Sequence, residues 1–329
     1  MTVLVTGGAG YIGSHMVMAL TDMGEDVVVL DNLSTGYWWS VSPKAKLVEG
    51  DIGDEALLDR LMADHRFDAV VHFAGSVVVP DSVRDPLGYY LNNTVKSRML
   101  MASAVKAGIP RFIFSSTAAV YGNPLTQPVF EDTVPAPISP YGSSKLMTEW
   151  MLKDAHEAYG LQYIALRYFN VAGGDPQGRI GQSTPRATHL IKVACQTALG
   201  QRANLEVFGT DYDTPDGTCL RDYIHVSDLI AAHIDALGYL RTGGSSGIFN
   251  CGYGKGYSVL DVIKAVERAN GAALPVKFVA RREGDPVAII AGADRIRSLL
   301  GWQPKHENLD FIVETALNWE RKLAQRNAA

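Results

Sequence analysis

Short β-branched runs alternate with stretches of helical spacing through the first half of the chain. The runs lie at residues 3–6, 26–31, 46–49, 68–75, 111–117 and 163–168. Between them, apolar residues recur every three or four positions, as at 54–65, 86–107 and 143–159. Regular alternation of strands and helices predicts a parallel sheet joined by right-handed crossovers. We therefore predict an α/β fold, a Rossmann-type doubly wound parallel sheet.

The pattern changes after residue 170, where later elements become shorter and Gly-rich loops join them. We expect a first domain over 1–170 and a smaller α+β domain over 171–329 that closes over the sheet's crevice. Part of about 221–254 is expected to return to the first domain.

A glycine-rich turn follows the first predicted strand directly. Gly8, Gly10 and Gly13 stand in the pattern that gives a tight turn, lets the backbone approach a pyrophosphate and aims helix N–H groups at the phosphates. Tyr11 and Ile12 lie within the turn. A glycine turn between buried elements is the plainer alternative.

The second predicted strand ends on Asp31, 18 residues past Gly13. This is close to the spacing of about 20 expected for the carboxylate that holds an adenosine ribose. Because Asp31 would repel a 2′-phosphate, we predict NAD rather than NADP. Asp51, at the end of the third strand, is placed to contact the adenine.

Composition narrows the function classes. The 329 residues are 47% hydrophobic, the net charge is −5, and no basic stripe stands out, so we expect neither nucleic acid nor an anionic membrane as a partner. Three widely spaced cysteines lack metal or redox spacing, which predicts no metal site. Without a visible export signal or membrane span, we expect a cytoplasmic protein.

The candidate chemistry centres on Tyr141 and Lys145, which lie four positions apart and so share a helix face. A neighbouring ammonium favours the phenolate, and lowering a phenol pKa by about 3 units requires roughly 4 kcal/mol. The spacing alone is unspecific, and a solvated i,i+4 pair is the alternative. Its position after a strand ending Ser115-Ser116-Thr117 favours catalysis.

Those motifs resemble the extended short-chain dehydrogenase/reductase superfamily and, within it, the UDP-glucose 4-epimerases over essentially the whole chain. The closer resemblance rests on Asp31-Asn32-Leu33, Gly50-Asp51-Ile52, His72-Phe73-Ala74, Tyr89-Tyr90-Leu91-Asn92-Asn93, Ser139-Pro140-Tyr141-Gly142, Arg167-Tyr168-Phe169-Asn170, Phe208-Gly209-Thr210, Arg221-Asp222-Tyr223 and Arg282-Glu283-Gly284-Asp285.

The resemblance implies that Tyr141 takes the proton of a UDP-hexose 4-hydroxyl while C4 gives hydride to NAD. A transient 4-keto sugar turns in the pocket, and hydride returns to its other face. Lys145 would anchor the nicotinamide ribose, and Thr117 would hydrogen-bond the moving proton. The implied cofactor-binding residues are Gly7, Gly10, Tyr11, Ile12, Gly13, Asp31, Asn32, Ser34, Asp51, Ile52, Phe73, Ala74, Gly75, Asn92, Ser115, Tyr141, Lys145 and Tyr168.

The substrate would be held by a second set of residues. Arg221 and Arg282 offer forked donors to the diphosphate, and Asp285 can accept from the uridine ribose. Phe208 would pack beside the uracil. The whole implied set is Thr117, Tyr141, Asn170, His189, Leu190, Phe208, Arg221, Tyr223, Arg282, Asp285 and Ile289. A surface ion pair is the alternative for each arginine, and core packing for Phe208.

Two departures from the family pattern concern contact details: the loop 76–81 lacks a lysine, and Lys192 replaces a proline. His72 and His225 are interpreted as hydrogen-bonded core residues, outside catalysis.

Three alternatives for the function stay open. The chain could be another UDP-sugar 4-epimerase, a sugar-nucleotide dehydratase or a non-catalytic NAD-binding regulator.

Family counterparts of the helices at 86–107 and 143–159 pair across a two-fold axis, so we expect a homodimer. Ile289 matches a position beside the sugar's C2 substituent, where a tyrosine is associated with excluding N-acetylated sugars.

Overall fold

A seven-stranded, all-parallel sheet forms the centre of the molecule, as the strand–helix alternation predicts. The computed structural model describes residues 1–185, 187–282 and 285–328. Its strands are β1 (Thr2–Thr6), β2 (Asp26–Asp31), β3 (Lys46–Glu49), β4 (Phe67–His72), β5 (Arg111–Ser115), β6 (Gln162–Tyr168) and β10 (Gly247–Cys251). Their order across the sheet is β10-β6-β5-β4-β1-β2-β3, so the direction of winding reverses between β1 and β4. A ligand crevice is expected at the carboxyl ends beside this reversal.

Both faces of the sheet are covered. Val3 and Val5 face one buried cluster and Leu4 faces the other, as the two-residue period of a strand requires. The first-half helices are α1 (Tyr11–Asp22), α2 (Glu55–Asp64), α3 (Val79–Arg84), α4 (Pro86–Tyr89), α5 (Lys96–Lys106) and α6 (Pro140–Tyr159). The doubly wound prediction is therefore confirmed.

The smaller region is built of short strands and helices. Its elements are β7 (Asn170–Ala172), α7 (Leu190–Ala198), β8 (Leu205–Phe208), β9 (Leu220–His225), α8 (Val226–Arg241), β11 (Gly256–Ser258), α9 (Val259–Asn270), β12 (Val276–Val279), β13 (Ala288–Ile289), α10 (Asp294–Leu300) and α11 (Leu309–Ala328). Strand β9 lies between β11 and β13 and also pairs with β7, while β12 pairs with β8. Strand β10 has rejoined the central sheet, and α8 packs on α1, β5 and β6.

The predicted long helix over 86–107 is interrupted. A π-helical segment, Tyr90–Val95, separates α4 from α5. The backbone carbonyl of Asn93 accepts from Ser97 Oγ at 2.6 Å and from Thr148 Oγ1 at 3.2 Å. Such π-helical segments within helices are frequent at functional sites.

Among the described residues, no helix combines the length and low polarity needed to cross a bilayer.

Candidate active site

The glycine turn is packed too closely for side chains. A Cβ on Gly13 would lie 2.1 Å from the carbonyl oxygen of Gly7, and one on Gly7 would lie 2.5 Å from the amide nitrogen of Ala74. Gly7 has φ +71°, in the region that favours glycine. A Cβ on Gly10 would lie 3.2 Å from Gly7 O. The turn thus brings β1, α1 and the end of β4 together.

Helix α1 begins without side-chain help. Its N-cap, Gly10, makes no side-chain cap, and the first turn carries no acidic residue. The first N–H groups and the positive end of the helix dipole therefore suit an anion. Tyr11 donates its hydroxyl to Gly173 O at 2.7 Å, and Ile12 packs against the core.

Asp31 is held by backbone donors at the end of β2. Its carboxylate accepts from Ala9 N at 2.9 Å and from Leu33 N at 2.8 Å. Burial raises the pKa of Asp31, while these backbone hydrogen bonds act in the opposite direction. The interaction with Ala9 fixes the carboxylate beside the glycine turn.

Asp51 is ion-paired rather than free. Lys96 Nζ lies 2.6 Å from its Oδ2, and Gly53 N donates to Oδ1 at 2.7 Å. Asn32 Nδ2 donates to the same carboxylate at 3.2 Å, and Asn32 Oδ1 accepts from Ser34 N. The pKa of Asp51 is lowered by these partners against the opposing effect of burial. The side chain of Ile52 is buried. Lys96 was not predicted from the sequence.

Tyr141 and Thr117 come together at the start of α6. Pro140 is the first helical residue, and the Ser139 side chain caps the helix by accepting from Gly142 N at 3.2 Å. Thr117 follows β5, and its hydroxyl accepts from Ala119 N at 3.1 Å. Burial raises the pKa of Tyr141 to about 12, and a hydrogen bond with Thr117 acts in the opposite direction.

Lys145 lies one turn further along α6 and is 3% exposed. Its Nζ donates to Ser115 O at 3.0 Å and lies 4.9 Å from the centroid of the Phe114 ring. Burial lowers the pKa of Lys145 to about 8, while the charge of Glu149 acts in the opposite direction. The solvated i,i+4 pair is therefore excluded, because the ammonium is buried at the end of β5.

Asn93 connects the loop after β4 to α6. Its Oδ1 accepts from Ser76 N at 2.7 Å, and its Nδ2 donates to Ser76 O at 2.9 Å and to Ser144 Oγ at 3.1 Å. Asn92 Nδ2 donates to Ser76 Oγ at 2.9 Å. The sequence pattern predicts a site role for Asn92 but not for Asn93, although Asn93 is the buried one. Gly75, directly before Ser76, lies close to Asn93 Oδ1.

Two predicted aromatic residues meet a buried histidine. The ring of Phe73 lies 4.9 Å from that of His233, and the ring of Tyr168 lies 6.4 Å from it. The Tyr168 hydroxyl and Ser115 Oγ share a hydrogen bond of 2.5 Å. Phe73, Tyr168 and Ser115 thus form one wall at the ends of β4, β5 and β6.

The predicted substrate residues on β8, on β9 and after β12 form two contacts with one another. Arg221 is 12% exposed; its Nη2 lies 3.3 Å from Asp285 Oδ1, and its Nη1 donates to Pro286 O at 2.9 Å. The Arg282 guanidinium lies 4.1 Å from the centroid of the Phe208 ring. Glu283 and Gly284 of the same motif lie outside the described residues.

Asn170, His189, Leu190 and Tyr223 line one small cavity. Asn170 opens β7 and pairs with Tyr223 of β9. His189 Nδ1 lies 2.9 Å from Gln182 Nε2, and Leu190 is the first residue of α7.

Lys192, which departs from the family pattern, is buried in the wall of that cavity. Its Nζ donates to Gln182 O at 2.7 Å and pairs with Glu320 of α11. This buried ion pair joins α7 to α11, and Glu320 neutralises the charge of the lysine at position 192.

Ile289 is 8% exposed and pairs with Arg221 in the parallel register of β13 and β9. Its backbone is thus fixed beside one of the predicted diphosphate residues.

His72 and His225 are hydrogen-bonded and buried, as predicted. His72 Nδ1 lies 2.6 Å from Thr6 Oγ1 and Nε2 lies 2.8 Å from Ser97 Oγ. His225 Nε2 lies 3.0 Å from Thr315 Oγ1. Burial lowers the pKa of both to about 3. In the described part of the chain, no cluster of three His, Cys, Asp or Glu side chains could hold a metal ion.

Comparison with known proteins identifies relatives along almost the whole chain. Residues 3–252 match the model of the NAD dependent epimerase/dehydratase family. A UDP-glucose 4-epimerase of Azospirillum brasilense is 61% identical over 323 residues, which cover 98% of this chain and 93% of that protein.

Two solved structures extend the comparison. UDP-glucose 4-epimerase from Brucella ovis in complex with NAD is 44% identical with a TM-score of 0.94, covering 96% of this chain and 97% of that one. The enzyme from Bifidobacterium longum in complex with NAD+ and UDP is 38% identical with a TM-score of 0.92, covering 98% of both chains.

Proposed function

The chain belongs to the NAD dependent epimerase/dehydratase family and, within it, to the UDP-glucose 4-epimerases, and we propose that it interconverts UDP-glucose and UDP-galactose. The observation that carries the proposal is the placement of two contacts at the carboxyl end of β5: Tyr141 is hydrogen-bonded with Thr117, and buried Lys145 donates to Ser115 O. These three side chains supply an acid/base, a hydroxyl partner and a positive charge in one place.

The chain's residues fit NAD. The uncapped start of α1 suits the pyrophosphate, and Asp31, fixed beside it by Ala9 N, suits an unphosphorylated adenosine ribose. The chemistry that NAD would supply when bound is reversible hydride transfer with C4 of the sugar. Asn32, Ser34 and Asp51 would hold the adenosine end. Phe73, Ala74, Gly75, Asn92, Ser115 and Tyr168 would line the nicotinamide end.

Tyr141 accepts the proton of the sugar 4-hydroxyl and later returns one. Burial alone opposes ionisation of this phenol, since it raises the pKa of Tyr141 to about 12. The hydrogen bond with Thr117 opposes that effect. Lys145 lies four positions further along the same helix, and a nearby ammonium favours the phenolate. The Lys145 ammonium donates a hydrogen bond to Ser115 O, which holds its positive charge at the end of β5.

The nucleotide is held on the other side of the crevice. Arg221 and Arg282 bind the diphosphate, and Asp285, which is ion-paired with Arg221, accepts from the uridine ribose. Asn170, His189 and Leu190 contact the phosphates from the cavity that they share with Tyr223. Phe208 packs beside the uracil, and Ile289 forms the wall beside C2 of the sugar.

The residues after Thr117 favour epimerisation over dehydration. Elimination of water needs a further acid and base, and residues 118–121 of this chain are Ala-Ala-Val-Tyr. Presence of Tyr141, Lys145 and Thr117 together also disfavours a non-catalytic regulator. A panel of UDP-sugars tests the proposal: UDP-galactose should yield UDP-glucose, while a dehydrated 4-keto product or no turnover would overturn it.

We further propose that residues 1–170, completed by α8 and β10, bind NAD and that the rest binds the UDP-sugar. The proposed assembly is a homodimer, because apolar side chains along α4 to α6 stay exposed: Leu87 is 78%, Leu91 53% and Trp150 56% exposed. The proposed location is cytoplasmic, since the three cysteines are free thiols.

A further inference from the structure

The loop between the catalytic threonine and tyrosine reaches across to the strand that carries Ile289. It runs over residues 122–139, and Gln127 lies in its first half. Gln127 Nε2 donates to Ala288 O at 2.9 Å, and Gln127 Oε1 accepts from Ile290 N at 2.8 Å. The side-chain amide therefore binds the backbone on both sides of Ile289.

The same edge continues with backbone hydrogen bonds. Val129 N donates to Ile290 O at 2.8 Å, and Gly292 N donates to Val129 O at 2.7 Å. Along this strand, the hydrogen bonds use the carbonyl of residue 288, the N–H and the carbonyl of residue 290, and the N–H of residue 292. This alternation is that of a parallel ladder. The Gln127 side-chain amide therefore supplies the two bonds that the backbone of residue 127 would make if the ladder continued by one more step.

The opposite edge of this strand is bound to β9. Ala288 and Ile289 pair with Leu220 and Arg221, and Leu220 N donates to Val287 O at 2.9 Å. The wall residue is thus fixed from both edges, by β9 on one side and by Gln127 on the other. At its far end the ladder is anchored to the central sheet, because Asn250 Nδ2 donates to Val129 O at 2.8 Å.

We propose that Gln127 is a positioning residue for sugar specificity: its amide holds the backbone of Ile289 in place and so keeps the pocket wall closed against a bulky C2 substituent. This inference rests on the proposed function.

A double-mutant cycle tests the proposal. The measured quantity is the ratio of kcat/KM for UDP-galactose to kcat/KM for UDP-N-acetylgalactosamine. Gln127→Ala should lower this ratio about threefold to tenfold, the fold-change that corresponds to the typical net contribution of a hydrogen bond. In an Ile289→Ala background, where the wall is already removed, Gln127→Ala should change the ratio by less than about twofold.

Two further variants complete the design. Thr126→Ala, at an exposed position of the same loop, should leave the ratio unchanged. Gln127→Glu keeps an acceptor for Ile290 N but sets an oxygen against Ala288 O, so it should lower the ratio as Gln127→Ala does.

An unchanged ratio in Gln127→Ala, or an equal fold-change in both backgrounds, overturns the inference while leaving the proposed function intact. Absence of UDP-galactose turnover by the wild type overturns the proposed function, and the inference with it.

Discussion

Arg167 binds Glu149 through two guanidinium nitrogens, Nη2 to Oε2 at 2.6 Å and Nε to Oε1 at 3.0 Å, with both side chains almost fully buried. Ser116 Oγ donates to the same carboxylate at 2.5 Å. The pair therefore joins β6, α6 and the residue between Ser115 and Thr117. Glu149 also lies one turn from Lys145, whose pKa its charge raises against burial.

Glu149→Gln should strongly destabilise the fold, because it leaves the guanidinium of Arg167 buried without its counter-charge. Breaking a buried pair on one side costs about 3–5 kcal/mol. Thermal unfolding at a fixed NAD concentration measures the effect. Lys153→Gln, which removes an exposed pair with Glu157 on the same helix, is the control and should cost less than about 1 kcal/mol. Equal midpoints for the two variants would contradict the account.

Acid should destabilise the protein through His72. Burial lowers the pKa of folded His72 to about 3, whereas an unfolded histidine titrates near 6.5. Between these values the unfolded chain binds a proton that the folded chain does not, so stability falls as pH falls, by at most about 1.4 kcal/mol per pH unit for one group. His72→Gln should flatten the dependence of unfolding free energy on pH between 6.5 and 4. A slope identical to that of the wild type would count against a neutral buried histidine.

The exposed apolar side chains of α4, the π-helical segment and α6 predict a dimer that introduced charges can disrupt. The double variant Leu91→Glu, Trp150→Glu should be monomeric, because it places carboxylates in the proposed interface. Light scattering over a range of protein concentrations measures the mass. Val134→Glu, at an apolar position 80% exposed in the loop before α6, is the control and should stay dimeric. A wild-type mass equal to one chain at every concentration rejects the dimer.

The range of UDP-sugars that the enzyme turns over should depend on the residue at position 289. The wild type should prefer UDP-galactose and turn over UDP-N-acetylgalactosamine more slowly, since isoleucine is smaller than tyrosine but stiff. Ile289→Tyr should raise the ratio of the two kcat/KM values by about tenfold or more, the usual effect of one pocket contact. If the ratio is unchanged, Ile289 does not line the sugar pocket.

Much of the fold was predictable from local patterns. The glycine turn, the strand ending on Asp31 and the helix that starts just before Tyr141 follow from residues close together in sequence. The parallel sheet followed from their alternation. The start of α6 needed only a serine cap and a proline in the first turn.

Other contacts left no local signal. Gln127 and Ala288 are 161 positions apart, and nothing in either stretch indicates that a side-chain amide will complete a strand edge. The ion pair between Glu149 and Arg167 also depends on tertiary packing. The sequence offered one hint of it, because Glu149 is a charged residue four positions after Lys145 on a buried helix face. The π-helical segment was hidden because its sequence has ordinary helical spacing.

The assignment of Tyr141 as acid/base is the central claim, and the turnover of UDP-galactose by Tyr141→Phe tests it most directly. Removal of the hydroxyl alone should abolish nearly all epimerisation while the fold and bound NAD persist, since general acid–base groups contribute about 10²–10⁴-fold. Circular dichroism and the NAD content of the purified variant serve as controls. A rate below about one hundredth of wild type with NAD still bound is the result the account predicts; a rate above about one tenth would contradict it.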